Sequence, residues 1–157
     1  MRAMRTVLAM ALLAIAVPAA AAPAYPNTYV NARYGYSIAY PSSLRPQPES
    51  ENGDGRAFRS ADGSVEARVW GANNATDQTP SELADQATGD CTSAPSYRRV
   101  AATFFAVSCR AGANILYEKT LIHGDVLTGF QITYPAAAHA AWDAVVTKMG
   151  GSLKPAR

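Results

Sequence analysis

The sequence predicts an α+β fold, an antiparallel meander sheet covered by a C-terminal helix and a shorter helix. Three observations predict it. Apolar runs near 103–110, 115–122 and 126–134 are broken only by Gly112-Ala113-Asn114 and Gly124-Asp125, which is turn chemistry between paired strands. Ala138, Ala141, Trp142, Val145 and Met149 recur at helical spacing, with Gly150-Gly151 as the expected stop. Thr79-Pro80-Ser81-Glu82 reads as a helix start, with Thr79 as cap, Pro80 at the first helical position and Glu82 placed to reach back.

The elements are justified in chain order. Arg2 and Arg5 precede an apolar run from Val7 to Val17, then Pro18 and a block of alanines, the order of a secretory signal peptide. Residues 1–24 are expected to be a leader, cut after Ala21, Ala22 or Ala24. A proline directly after the cut makes Ala22 the weakest of these. Residues 25–157 are then expected to form one α/β domain, exported to a periplasm or secreted. The apolar run of the leader is shorter than the roughly 20 residues of a membrane helix, and no later segment is longer, so no membrane insertion of the mature chain is expected. No cysteine follows the cleavage region, which argues against a lipid anchor.

Tyr36, Ile38 and Tyr40 alternate with Ser37 and Ala39, the spacing of a strand. The proline-rich and acidic run SSLRPQPESENGDG has no apolar period and reads as an exposed loop. Arg56 to Ser60 and Ser64 to Trp70 form two strands around Ala61-Asp62-Gly63, where Asp-Gly signals a two-residue hairpin. A helix follows from the Thr79 cap to about Ala87, stopped by Gly89. In the last strand Val126, Phe130, Ile132 and Tyr134 share one face and Gly129, Gln131 and Thr133 the other, the pattern of a sheet covered on one side. The C-terminal helix supplies that cover, with Trp142 in the core.

Charge and cysteines bound the function. The formal excess of +2 belongs to the leader, because without Arg2 and Arg5 twelve basic residues stand against twelve acidic ones. A neutral chain without a basic stripe lacks the electrostatic footprint of nucleic-acid binding. Cys91 and Cys109 are the two cysteines, and an even count in an oxidising compartment reads as one disulfide. Cys109 shares its face with Phe105 and Val107, so the bond would staple the end of the first helix region to the sheet. The competing reading, reactive or metal-binding thiols, has no CxxC spacing, and His123 and His139 are the only histidines.

Residues 51–63, ENGDGRAFRSADG, raise calcium as an alternative. A calcium loop needs glycine sixth and glutamate twelfth. Placing Gly55 sixth puts Ala61 twelfth, and placing Gly53 sixth puts Arg59 there, so the stretch reads as turns; an irregular site would draw on Glu49, Glu51, Asp54 and Asp62. Neither a metal nor a cofactor is expected. A serine hydrolase would need a histidine held between serine and acid. His123 and Asp125 supply residue types but flank a hairpin glycine, there is no GxSxG, and no catalytic residue is assigned. His139 reads as a solvent-facing histidine of a first helical turn. Glu118 and Lys119, being adjacent on a strand, point to opposite faces.

Trp70 fits this account least well, since Val65, Ala67 and Val69 are out of phase with it. A tryptophan on the polar face of a sheet is either covered by a loop or helix or part of a binding patch. Tyr29, Tyr34 and Tyr36 are the candidate partners in such a patch.

The order YGYSIAYPSSL, NGDGRAFRSADG, SVEARVWG, TFFAVSC, ILYEKTLI and GFQITYP before a closing helix resembles a group of small exported bacterial proteins of unknown function, over nearly all of the mature chain. More distantly, the opening strand of the form YGY, apolar, YP resembles the start of PsbP-like domains. These are α/β sandwiches, shared by photosystem extrinsic subunits and a Ran-binding import factor. Cys109 departs from the bacterial pattern, where glycine is expected after serine, so the resemblance implies that the disulfide is a local addition. It also implies a non-catalytic domain that works by binding a protein or envelope component. A hydrolase with an unrecognised site and a small-ligand or calcium binder are the alternatives.

Overall fold

The computed structural model describes residues 25–155, and the expected leader lies outside them. Along the chain run β1 (Asn27–Val30), β2 (Ser37–Tyr40), β3 (Leu44–Glu49), β4 (Gly55–Ser60), β5 (Glu66–Asn73), α1 (Pro80–Ala87), β6 (Tyr97–Ala101), β7 (Phe104–Ala111), β8 (Asn114–His123), β9 (Val126–Pro135) and α2 (His139–Ser152). β1 and β2 form a separate hairpin. The other strands make one antiparallel sheet in the order β3-β4-β5-β9-β8-β7-β6. Two meanders, β3 to β5 and β6 to β9, are thus zipped together through β5 and β9, with Val69 opposite Phe130 and Ala67 opposite Ile132. The chain leaves β5 in the middle and must re-enter at β6 on the far edge, four strand spacings or about 19 Å away. That connection crosses one face of the sheet and carries α1.

The two faces are covered unequally. On one lie α2 and the β1–β2 hairpin, and Tyr36, Ile38, Phe58, Val69, Phe130, Ile132 and Met149 are buried between these layers. Each large apolar side chain buried there contributes roughly 1.5–3 kcal/mol. On the other face α1 buries Leu83 and Ala84 against Phe105, Val107 and Leu127. Among the described residues no element covers the rest of that face. The expected meander and its two covering helices are present. Trp142 is half-buried and packs against the main core rather than inside it.

The α1 start is built as the sequence predicts. The Thr79 amide donates to Glu82 Oε2 at 2.7 Å, and the Glu82 amide donates back to Thr79 Oγ1 at 3.3 Å, a reciprocal capping box. The β7–β8 and β8–β9 turns hold two residues each, opened by Gly112 and Gly124 with φ +64 and +56. The turn at Asp62 is longer than expected. Ser60 pairs with Val65, so four residues form the loop, and the Asp62 carboxylate closes it by accepting from Ser60 Oγ and the Ser64 amide.

Three expectations are corrected. Residues 44–49, read as loop, are the edge strand β3, where Pro46 and Pro48 sit at a bulge; an edge strand tolerates proline because one side of its backbone needs no partner. β6, Tyr97–Ala101, was not expected at all, because a strand exposed along nearly its whole length carries no apolar alternation. α2 does not stop at Gly150-Gly151 but continues to Ser152. Gly150 is where the helix approaches β8: an added Cβ would lie 3.3 Å from the Tyr117 hydroxyl, and Lys119 Nζ donates to the Gly150 carbonyl at 2.7 Å. The helix end is thereby held to the sheet.

Cys91 and Cys109 form a disulfide, with 5.8 Å between their Cα atoms. It ties the exit of α1 to β7 on the α1 face, where Cys109 is buried. For a loop of this size the chain-entropy contribution is about 3 kcal/mol. Replacing both cysteines by serine is expected to lower the thermal midpoint by roughly 10 °C, with far-UV circular dichroism at room temperature unchanged. A calorimetric scan showing a shift of a degree or less would mean that the α1 core holds this region without the bond.

Candidate functional site

The uncovered part of the α1 face is built by strand alternation. On β5 the residues opposite in phase to Ala67 and Val69 are Glu66, Arg68 and Trp70. Their cross-strand partners on β9 are Thr133, Gln131 and Gly129. On β8, Glu118 stands beside Gln131 and Thr120 beside Gly129. On β4, Gly55 and Ala57 stand beside Trp70 and Arg68. A tryptophan is thus flanked on both sides by glycine, and its ring lies across the strand instead of upright. An added Cβ on Gly129 would come within 2.1 Å of the indole Cζ2.

Three adjoining hollows share these side chains. The largest, about 520 Å³, lies between Trp70, Arg68, Glu118 and Gln131, over Ala57, with Pro48 and Asp54 at its rim. A second of about 410 Å³ runs from Trp70 and Glu118 toward Leu83 and Gln86 of α1. The third, about 370 Å³, continues past Arg68 and Gln131 toward Asp90. Trp70 and Glu118 therefore form the divide of one concave trough.

Glu118 is only 7% exposed. One carboxyl oxygen accepts from Gln131 Nε2 at 3.0 Å and the other from Thr120 Oγ1 at 3.3 Å. Among the described residues it makes no ion pair. Arg68, which lines the same hollow, is held by Glu66 on its own strand at 2.6 Å, and Glu66 also takes Arg59 at 2.6 Å. Burial raises the Glu118 pKa above the ordinary carboxylate range, and the bonds from Gln131 and Thr120 oppose that rise without cancelling it. The site can stack an aromatic or cationic group on Trp70 and can offer Glu118 as donor or acceptor according to its proton.

The residues expected from sequence separate. Trp70 is on this face and half-buried. Tyr29 and Tyr36 are buried on the opposite side, in the core under the hairpin, and stack edge to face with centroids 6.0 Å apart. Tyr34 lies there too, its ring against Gly71, where an added Cβ would sit 2.4 Å from Tyr34 Cγ. The structure does not bring these tyrosines to Trp70. His123 and Asp125 are exposed at the β8–β9 turn, and no serine hydrogen-bonds to His123 among the described residues. Asp54, like Asp62, serves its turn. It accepts from Ser50 Oγ at 2.6 Å and Asn52 Nδ2 at 2.9 Å, and these bonds lower its pKa. Paired only with its neighbour Lys119, which points to the other face, Glu118 carries no site signal in the sequence. The signal that could have found it is an acid in phase with Leu116, Thr120 and Ile122.

Two outcomes follow from this geometry. Gly129→Val should displace the indole, destabilise the fold by about 1–3 kcal/mol through overpacking and shift tryptophan emission; an unchanged urea midpoint would show that the ring is not seated on this glycine. Glu118→Gln tests the buried acid. Because the folded-state pKa is raised, its stabilising contribution is complete below the unfolded value near 4.3 and is lost as pH rises through the folded one. The variant should melt close to the parent at pH 4 and above it at pH 8, and a thermal-midpoint difference that does not grow with pH would contradict this.

No protein-family model and no curated protein matches the sequence. By shape the chain is similar to cyanobacterial PsbP (CyanoP) from Synechocystis sp. PCC 6803, with 12% identity and a TM-score of 0.62 over 90% of this chain and 98% of that one. It is also similar to a crystal structure from Bacteroides thetaiotaomicron VPI-5482, with 13% identity and a TM-score of 0.50 over 78% of this chain and 45% of that one, so it spans less than half of that protein. Together with the antiparallel sheet, the C-terminal helix and the shorter helix, these likenesses establish the architecture as a PsbP-like α/β sandwich.

Proposed function

We propose that this chain is a non-catalytic accessory domain of the cell envelope that binds a protein or envelope component on the open part of its α1 face. The observation that carries the reading is Trp70. A large amphipathic ring is held flat on Gly129 at the centre of a concave trough, although the same chain buries Tyr29, Tyr36 and Phe130 completely or nearly so. Rigid, half-exposed aromatic residues at the middle of a concave surface are the usual anchors of protein recognition. The likeness to PsbP supports an accessory role by analogy of fold alone. The disulfide fits an oxidising compartment, and among the described residues no helix is long and apolar enough to cross a membrane.

The test places a photo-cross-linking amino acid at Ala57 or Thr133, beside the trough, and at Thr147 on α2 as control, in the exported protein in cells. A discrete adduct from positions 57 and 133 but not 147 is expected, reduced at least about tenfold by Trp70→Ala in a variant that keeps its circular dichroism spectrum. Adducts from 147 alone, or an adduct indifferent to Trp70→Ala, would overturn the reading.

A further inference from the structure

The trough holds an imbalance of charge that its own residues do not settle. Glu118 reaches it from β8 with two hydrogen-bond donors against it and no cation, while a carboxylate has room for about four donors. Asp54 adds a second acid at the rim. Both arginines that line the trough are paired, Arg68 with Glu66 at 2.6 Å on its own strand and Arg56 with Glu49 at 3.8 Å, while Asp90 adds a further acid at the far end. Trp70 shares both adjoining hollows with Glu118. Elsewhere in the molecule, arginines and lysines lie 4.4–5.8 Å from the ring centres of Tyr25, Tyr29, Tyr34 and Phe104. No such cation lies over Trp70 among the described residues, although indole is the best of the aromatic faces for one.

We propose that the slot between Trp70 and Glu118 receives a basic side chain, lysine or arginine, presented by the partner that docks on the open face. This rests on the docking reading above and names the chemistry of the contact. An ammonium or guanidinium group there would lie against the indole face and donate to the carboxylate lone pairs that Gln131 and Thr120 leave free. The excess acid of the trough favours a cation over an anion. The depth of Glu118, beneath Trp70 and Gln131, favours a group on a long flexible stem over a backbone amine. Excluding water from this contact strengthens both attractions.

The slot is tested with N-acetyl-lysine methylamide and N-acetyl-arginine methylamide, against N-acetyl-norleucine methylamide as the uncharged equivalent. A Trp142→Phe background leaves Trp70 as the sole emitter, the chain having two tryptophans. Saturable change of Trp70 emission with the basic probes and not with norleucine is expected, its midpoint raised at least tenfold by Glu118→Gln. The same substitution should deplete the adduct formed through Ala57. Equal response to norleucine, or indifference to Glu118→Gln, overturns the cation slot. An adduct through Ala57 that survives Glu118→Gln also overturns it and leaves the docking face standing. Response to the basic probes in a protein that forms no adduct from either trough position overturns the side-chain source along with the docking face, and the slot then belongs to a free amine.

Discussion

A buried side-chain amide, that of Asn31, sits at the centre of the network that joins the N-terminal hairpin to the sheet. Asn31 is fully buried. Its Nδ2 donates to the Tyr29 hydroxyl at 3.0 Å and to the Gly53 carbonyl at 2.9 Å, and its Oδ1 accepts from the Tyr34 amide at 2.7 Å. Its backbone closes the turn with Tyr36 and Gly35. Tyr29 passes the connection on to Glu49 at 2.6 Å, and the Tyr36 hydroxyl donates to the Asp54 carbonyl at 3.0 Å. A buried polar network of this kind specifies one arrangement because each group left unpaired would cost about 1–3 kcal/mol. The hairpin therefore cannot slide over the core without abandoning the β3–β4 loop.

That loop is also the rim of the trough on the other side. The Asp54 carbonyl that accepts from Tyr36 also accepts from the Gly71 amide at 2.8 Å, one residue after Trp70. At this step of β5 the sheet is clasped from both faces. Tyr34 lies on Gly71 from the α2 side and Trp70 lies on Gly129 from the α1 side. Glycine weakens a strand through its entropy, and here it lets two rings lie close to the backbone. The aromatic core beneath the hairpin and the half-buried aromatic of the trough thus meet the sheet at one short segment, from opposite sides.

Much of this was legible where a local rule acts alone. The capping box at Thr79 and Glu82, the two-residue turns after Ala111 and His123, and the pairing of Cys91 with Cys109 depend on neighbours in sequence or on a count of two. Trp70 was legible as out of phase, since period two is read directly from SVEARVW. The edge strands β3 and β6 were not, because edge strands are held by backbone bonds and need no apolar rhythm. The burial of Tyr29 and Tyr36 was not, because it depends on which face the hairpin folds over, a choice made by Asn31 and residues some twenty positions later. Glu118 and Gln131 are brought together by the register of β8 on β9, and Gly129 acquires its meaning only from the strand beside it.

The unequal cover of the two faces explains why the recognition chemistry collects where it does. The α2 face is closed by a fourteen-residue helix and a hairpin, and several of its polar groups are paired within the molecule, Lys119 with Gly150, Tyr134 with Asp143 and Asn31 with Gly53, while Arg56 Nε is buried there without a hydrogen-bond partner among the described residues. The α1 face has an eight-residue helix, pinned at one edge by Arg98 to Asp85 and by the disulfide. So short a helix spans about 12 Å, and of β5 its cluster takes in Ala72 but neither Arg68 nor Trp70. The disulfide fastens the exit of α1 to β7. The hollow beside Trp70 and Glu118 stays open because the element that could have covered it is tied down elsewhere, and the trough is a consequence of how the β5–β6 crossing is fastened.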